Sequence, residues 1–462
     1  MSSDAIEPLV GHETDGARES VRAAVNDCVH CGFCLPACPT YQLWGEEMDS
    51  PRGRIHLAGQ LLDGAPLTEA AAEHFDRCLG CMACMTACPS GVQYDQIIEA
   101  AREWTEAGAG PPAGPEGPGA TATPAAPPAP RSRRDRATRE AIFAVFPYPR
   151  RLRAAIAPLR VAQRTRADRL AGRGGVLNRV SPAAAAALRL APQPGRPLPA
   201  GRFPERVAAR GQRRASVGML TGCVQSVFFP RVNAATARVL AAEGCDVVIP
   251  RDQGCCGALS LHSGRTAEAA RFAARLIETF EAADVDAIVV NSAGCGSAMK
   301  EYERLLRHAD PPMARRAAAL SARVRDLAEF LAELGPVAPR HPVPVRAAYH
   351  DACHLGHAQR ITREPRALLR DIPELELVEL PDAGTCCGSA GVYNLLQPEA
   401  ARALGVRKAD AVLGSGAALV ISANPGCTLQ ISAELASRGQ TIATAHTAEV
   451  LDASIRGVRL RA

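Results

Sequence analysis

Cys28-Val-His-Cys31-Gly-Phe-Cys34-Leu-Pro-Ala-Cys38-Pro39 is the stretch that decides how the amino-terminal region folds, and it recurs as Cys78-Leu-Gly-Cys81-Met-Ala-Cys84-Met-Thr-Ala-Cys88-Pro89. Both are C-x2-C-x2-C-x3-C-P. Two residues between thiolates let a tight loop wrap three corners of a cubane, while the fourth cysteine, leading into proline, reaches the other cluster. The expectation is two 4Fe-4S clusters with crossed ligand sets: Cys28, Cys31, Cys34 and Cys88 on one, Cys78, Cys81, Cys84 and Cys38 on the other. Structural zinc is the alternative, because C-x2-C pairs also hold that ion. Zinc sites set two such pairs well apart, whereas here four cysteines crowd into eleven residues, twice. Soft thiolates suit both metals, so spacing decides.

Between the runs, Ser50-Pro51-Arg52-Gly53-Arg54-Ile55 opens an apolar-periodic stretch to Leu62. Ser50 as cap and Pro51 at the first position predict a helix start. Arg52 and Arg54 either lie beside a cluster, raising its potential, or form a solvated basic turn.

Working outward, Ala107 to Pro130 is almost entirely Gly, Ala, Pro and Thr, too poor in large apolar groups to form a core, and is read as a linker. Residues 131–214 then carry 21 arginines against Asp135, Glu140, Asp168 and Glu205, a local balance of +17 in a chain whose net charge is +5. Apolar residues mixed with arginine over 141–161 suit basic amphipathic helices for anionic lipid or an acidic partner, or else a solvated connector. No base-reading module or aromatic platform accompanies the arginines, which argues against nucleic acid.

The remainder contains a duplication. Cys223, the pair Cys255-Cys256 and Cys295 are followed by Cys353, the pair Cys386-Cys387 and Cys427, at offsets of 130, 131 and 132 residues. Near-constant offsets over these landmarks indicate a repeat. Each copy alternates short apolar runs with helical patterns: Ser216–Leu220, Ala234–Ala242, Asp246–Ile249, Ala267–Phe280 and Ala287–Val290 in the first, and Val345–Tyr349 through Ala418–Ser422 in the second. That layout predicts parallel sheets covered by helices on both faces, with the cysteines at the carboxyl ends of strands, where open α/β sheets place ligands. Each copy is expected to gather its four cysteines, with Gly254, Gly257, Gly388 and Gly391 easing turns and close approach. Reduced thiols packed as core residues are the plainer alternative. His350 and His354 flank Cys353 as metal ligands, proton relays or, more simply, hydrogen-bonding partners. Cys245 stands outside every pattern and is read as buried packing.

The fold class is therefore α/β overall: a mainly helical two-cluster ferredoxin domain (1–106), a linker and basic helical segment (107–214), and two tandem cysteine-rich domains (215–336 and 337–462). Seventeen cysteines in regular clusters within 462 residues suggest metal ligation rather than disulfides. With no apolar run of the roughly 18 residues a spanning helix needs and no export signal, a cytoplasmic location is expected, with the basic segment as a means of peripheral membrane attachment.

Together these residues resemble the iron-sulfur subunit of glycolate oxidase. The resemblance rests on the cysteine runs with Cys38-Pro-Thr-Tyr41, Ser50-Pro-Arg-Gly-Arg-Ile55, Cys88-Pro-Ser-Gly-Val92, Asn233-Ala-Ala-Thr-Ala-Arg-Val-Leu240, Gly254-Cys-Cys-Gly-Ala258, Ala293-Gly-Cys-Gly296 and Cys386-Cys-Gly-Ser-Ala-Gly391. It implies an electron-transfer subunit beside flavin-containing subunits that oxidise glycolate to glyoxylate, with electrons leaving toward a membrane quinone-type acceptor. No Gly-rich fingerprint for a flavin is present here, so substrate chemistry is expected on the partner. Subunits of lactate and glycerol-3-phosphate dehydrogenases share these modules and form the alternative. The repeats also look like those of heterodisulfide reductases, which suggests a reductase acting at the paired cysteines. There a fifth cysteine follows the last by three residues; here those positions are Ala298 and Gln430. Four cysteines per copy leave room for further iron-sulfur clusters, but not for the five-cysteine ligand set. A metal-stabilised scaffold is the non-catalytic reading.

Overall fold

A computed structural model describes residues 14–111, 131–164, 182–191 and 203–460. Most of the Pro-rich linker, 112–130, lies outside the described residues.

Helices Thr14–Asn26, Pro51–Leu62, Glu69–Arg77 and Tyr94–Ala107 enclose a core of Ile55, Leu61, Leu62, Phe75, Ile97 and Ile98. Ser50 caps the second of these by accepting from the Gly53 N–H, and Pro51 occupies its first turn, as the sequence leads one to expect. The cysteine runs are loops pinned to this frame, each ending in a short helix, Pro39–Trp44 or Ala83–Ala87.

The basic segment forms helices Arg133–Val145, Pro149–Arg164 and Pro182–Leu190. Phe143 and Arg139 are buried. Arg131 and Arg139 both reach Asp76, at 3.0 and 3.1 Å, while Arg189 pairs with Glu434 and Glu140 with Arg265. Part of the positive charge is thus matched by acids of the same chain. Asp76 and Glu434 lie far away in sequence, which is why local composition suggested an external counter-charge.

Among the described residues nine strands follow: β1 (Arg206–Val207), β2 (Ala215–Leu220), β3 (Cys245–Val248), β4 (Ala287–Val290), β5 (Val324–Asp326), β6 (Val345–His350), β7 (Leu375–Glu379), β8 (Leu419–Ser422) and β9 (Ala443–Ala445). They make two sheets, ordered β1-β3-β2-β4-β5 and β7-β6-β8-β9. Without β1 the two orders are identical. All pairings are parallel except β1 with β3, so the first sheet is mixed, and its antiparallel edge comes from a two-residue strand too short to leave a pattern in the sequence. Strand β4, and β8 up to its final Ser422, read as apolar runs because parallel strands are covered on both faces.

One core joins the two sheets. Met219, Val239 and Leu240 of the first copy pack with Tyr349, Leu369 and Leu451 of the second. Cys245 is buried in this core, as expected, and burial pushes its thiol up to about 11.

His446 fastens the seam. Its Nε2–H donates to the Asn291 carbonyl at 2.8 Å, while Nδ1 accepts from the Ala448 N–H at 3.0 Å to cap helix Thr447–Arg456. The Nδ1 bond requires the neutral ring, because an imidazolium cannot accept there, and burial lowers the ring's pKa to about 4. Because the folded value lies below the ordinary one, this stabilisation is whole above about pH 6.5 and is lost as pH falls toward 4. The expected slope is about 1.4 kcal/mol per pH unit. Denaturant unfolding of wild type and His446→Asn at pH 7.5 and 5 should show a smaller pH difference in the variant.

A cysteine-lined candidate redox centre

Two neighbouring cavities are lined by the eight thiols of the two runs. Cys28, Cys31, Cys34 and Cys88 line the first, and Cys38, Cys78, Cys81 and Cys84 the second, with Cys84, Pro51 and Tyr94 in the shared wall. Each cavity thus contains the fourth cysteine of the opposite run. Their depths differ: Cys31 is exposed and Cys28, Cys34 and Cys88 half-buried, whereas all four cysteines of the second cavity are buried.

The loops share an unusual backbone. His30 (φ 53°) and Gly32 (φ 84°) flank Cys31, and Gly80 (φ 63°) and Met82 (φ 60°) flank Cys81. Left-handed residues among right-handed ones turn successive N–H groups into a concavity, a form common to anion and iron-sulfur sites. At His30 and Met82, which carry a Cβ, this conformation costs roughly 1–2 kcal/mol each.

Arg54 is the positive charge of the inner cavity. It is buried, donates to the His74 carbonyl at 2.6 Å, the Asp49 carbonyl at 2.6 Å and Thr40 Oγ1 at 3.1 Å, and lines the second cavity. The solvated-turn reading fails for Arg54. Arg52, half-exposed and paired with Glu47 at 2.6 Å, lines the first cavity and reaches the His30 carbonyl at 3.2 Å. Burial opposes ionisation of Cys78, but Arg54 and Arg102 outweigh it and hold that thiol below its ordinary value. Cys81 and Cys84, which lack such a neighbour, are pushed well up by burial. Soft donors in fours, with guanidinium groups to offset thiolate charge, fit iron-sulfur ligation.

The paired-cysteine copies also gather their thiols. Cys223 follows β2, Cys255 and Cys256 follow β3, and Cys295 lies in the first turn of helix Ala293–Lys300 after β4. The Cys223 and Cys255 sulfurs are 3.5 Å apart. Cys255 and Cys295 both hydrogen-bond Cys256, which lowers its thiol well below the ordinary value. In the second copy Cys353, Cys386, Cys387 and Cys427 form a continuous run of sulfur contacts in that order. The turn after each pair needs glycine: Gly388 has φ 88°, and a Cβ there would stand 2.4 Å from the Ala401 carbonyl oxygen; Gly257, its counterpart, has φ 80°. Gly254 has no such requirement.

Sequence spacing did not foretell that these sites are contiguous. Cys353 and Cys386 pack with Leu79 and Cys81 of the second ferredoxin loop. His354 Nε2–H donates to the Gly80 carbonyl at 2.9 Å, and Tyr393 Oη–H to that of Arg77 at 3.1 Å. Burial is the main reason the His354 ring stays neutral, its pKa lowered to about 3. The first copy is fastened by Arg102, which donates to the carbonyls of Cys78 and, at 2.7 Å, His262. Glu99 adds contacts to Arg304 at 2.7 Å and His262 at 3.2 Å; burial opposes its ionisation, yet these partners hold it near a pKa of about 2. His262 and His354 meet edge to face at 4.7 Å, and the Ala293 N–H of one copy donates to the Ala423 carbonyl of the other at 3.1 Å. His350, named with His354 in the sequence, stands beside Cys387 and Cys427.

Fold and cysteine geometry define a multi-site iron-sulfur protein. Residues 24–92 match the 4Fe-4S dicluster domain, 217–300 and 347–432 the cysteine-rich domain, and 134–191 the linker region of the glycolate oxidase iron-sulfur subunit. The chain is 34% identical to the probable glycolate oxidase iron-sulfur subunit of Bacillus subtilis, covering 92% of this chain and 93% of that protein. It is also 34% identical to the glycolate oxidase iron-sulfur subunit of Escherichia coli, over 96% and 98%. Lactate utilization protein A of an Exiguobacterium species is 33% identical over 52% of this chain and 98% of its own length. The chain belongs to the family of glycolate oxidase iron-sulfur subunits, and its dicluster domain takes two 4Fe-4S clusters. Among the described residues, no helix is long and apolar enough to cross a membrane.

Removing Arg54 leaves the fully buried Asp49 carboxylate with His74 and Arg77 alone, at 2.9 and 3.0 Å, and leaves the buried Thr40 hydroxyl and the Asp49 and His74 carbonyls beside the inner cavity without their donor. Arg54→Met should destabilise the chain by about 3–5 kcal/mol and reduce its iron and sulfide content. Arg52→Ala, which breaks a partly exposed pair, should cost under about 1 kcal/mol. Thermal unfolding and iron analysis on anaerobically purified protein compare the two.

Proposed function

We propose that this chain is the electron-relay subunit of a glycolate-oxidising complex, carrying electrons from flavin-containing partner subunits that convert glycolate to glyoxylate toward a membrane quinone-type acceptor. The observation that carries the reading is the graded array of cysteines: Cys31 at the surface, the Cys38/Cys78/Cys81/Cys84 cavity inside, and Cys353 and Cys386 packed behind Cys81. In this reading Cys28, Cys31, Cys34 and Cys88 ligate the outer cluster, and Cys78, Cys81, Cys84 and Cys38 the inner one. The clusters, when bound, exchange single electrons, which lets a two-electron flavin be emptied in turn.

The chain's own residues do the rest. Arg54 and Arg102 offset buried negative charge; His30, Gly32, Gly80 and Met82 shape the loops; the His354 bond to Gly80 keeps the second copy against the inner cavity. The outer loop presents Val29 and Phe33, 69% and 66% exposed, on either side of Cys31. An apolar rim around the most accessible ligand suits short-range docking of the flavoprotein. The division into residues 1–106, 107–214, 215–336 and 337–462 goes with these roles, the second part carrying basic helices for peripheral contact with the membrane. The paired-cysteine sites are places for further thiophilic centres. A lactate or glycerol-3-phosphate dehydrogenase subunit is the second reading, and the match of half the chain to lactate utilization protein A favours it over the rest.

Co-expression with flavin-containing glycolate oxidase subunits tests the proposal. The complex should reduce dye with glycolate, and Cys31→Ser or Cys81→Ser should each abolish most of that current while removing up to about four irons per chain. Phe33→Glu should slow the current with iron content unchanged. Undiminished current in both cysteine variants, or a preference for lactate or glycerol 3-phosphate, would overturn the assignment.

A further inference from the structure

The second cysteine-rich copy holds a group of potential metal donors that the relay does not use. His350 ends β6, is 1% exposed, and has no hydrogen-bond partner on either ring nitrogen. One of its nitrogens and the sulfurs of Cys387 and Cys427 all lie within 4.8 Å of one another, and all three residues are buried. Ser422, the register partner of His350 on β8, and Ser389, next to the Cys387 turn, also bury hydroxyls without partners. Several orphaned polar atoms around two thiols are costly unless something binds them.

The four thiols of this copy do not face one way. Cys353 and Cys386 pack with Leu79 and Cys81 of the ferredoxin loop, whereas Cys387 and Cys427 belong to the core that holds Ala348, Ala423 and Ile431. The first copy offers a control within the same chain. By the offset of 130 residues, the counterpart of His350 is Leu220, so no imidazole stands at that strand end in the first copy. The duplication has therefore diverged at the residue that would add an imidazole ligand.

From this geometry we infer that His350, Cys387 and Cys427 bind a divalent thiophilic cation of the zinc(II) class, distinct from the two ferredoxin clusters. Two thiolates neutralise a dication and a neutral imidazole completes three protein ligands, so the buried centre carries no net charge. Neighbouring charges are already matched: Lys408 by Asp382 at 2.9 Å, and Asp351 by Arg366 at 2.7 Å. Binding releases two protons to solvent, one from each thiol. Three protein ligands leave the fourth tetrahedral position to water or a small ligand, the arrangement of exchangeable rather than closed zinc sites.

The test uses the full chain, purified anaerobically from zinc-supplemented cells, with zinc, iron and sulfide counted and the zinc K-edge X-ray absorption recorded. Wild type should hold about one zinc with a mixed shell, sulfur near 2.3 Å and nitrogen near 2.0–2.1 Å. His350→Leu, which installs the residue of the first copy, should lose the nitrogen shell and release zinc to a chelator at least about 10- to 100-fold more readily, the scale already typical of second-shell losses. Cys427→Ser should also lose zinc. Iron and sulfide of the ferredoxin clusters should stay unchanged in both, so a failure here is separable from a failure of the relay reading. The inference is overturned if wild type retains no zinc, if His350→Leu keeps it with the same spectrum, or if that variant loses iron and sulfide instead.

Discussion

Burying thiolates beside one another is the constraint on which the rest of the structure depends. Desolvation and mutual repulsion both push thiols toward the protonated form, as Cys81 and Cys84 show. The fold answers with two buried guanidinium groups. Arg54 lies within the ferredoxin domain, bonded to Thr40, Asp49 and His74, while Arg102 reaches across to the first cysteine-rich copy. Arg102 therefore has two tasks: it lowers the Cys78 thiol and ties the Cys78 loop to His262. One side chain thus gives the inner cavity electrostatic support and attaches the next domain to it.

A similar economy governs the seam between the two cysteine-rich copies. Their sheets have the same strand order, and the helix starts that carry Cys295 and Cys427 abut through the Ala293–Ala423 hydrogen bond. The duplication brings its two sites face to face, and His446, Gln359 and the His262–His354 pair fill the interface. Neutral histidines suit this place because burial keeps both His354 and His446 uncharged, leaving each ring one donor and one acceptor nitrogen.

Much of this was legible in the residues. Ser50-Pro51, the apolar strand runs and the offset of the paired cysteines each act over short distances or repeat, and each appears where local physics puts it. What stayed hidden was long-range or too small to leave a pattern. Asp76 as counter-charge to Arg131 and Arg139, and Gly80 as acceptor for His354, involve partners 55 to 274 residues apart. The two-residue β1 has no periodicity to detect. His350 was visible as a histidine near Cys353, but its neighbours are Cys387 and Cys427, because a strand end faces the adjacent strand's helix start rather than its own next turn.

The positions three residues beyond Cys295 and Cys427 have a structural use. Ala298 is fully buried in the first copy's core, and Gln430 is fully buried in the second. Gln430 Nε2–H donates to the Ala401 carbonyl at 3.0 Å and its Oε1 accepts from Asn394 at 3.3 Å. Ala401 supplies the same carbonyl for which Gly388 must lack a Cβ. Gln430 thus steadies the backbone against which the Cys386-Cys387 turn is pressed. In this copy the residue at that position offers no sulfur to the site; through the Ala401 carbonyl it fixes the turn that does.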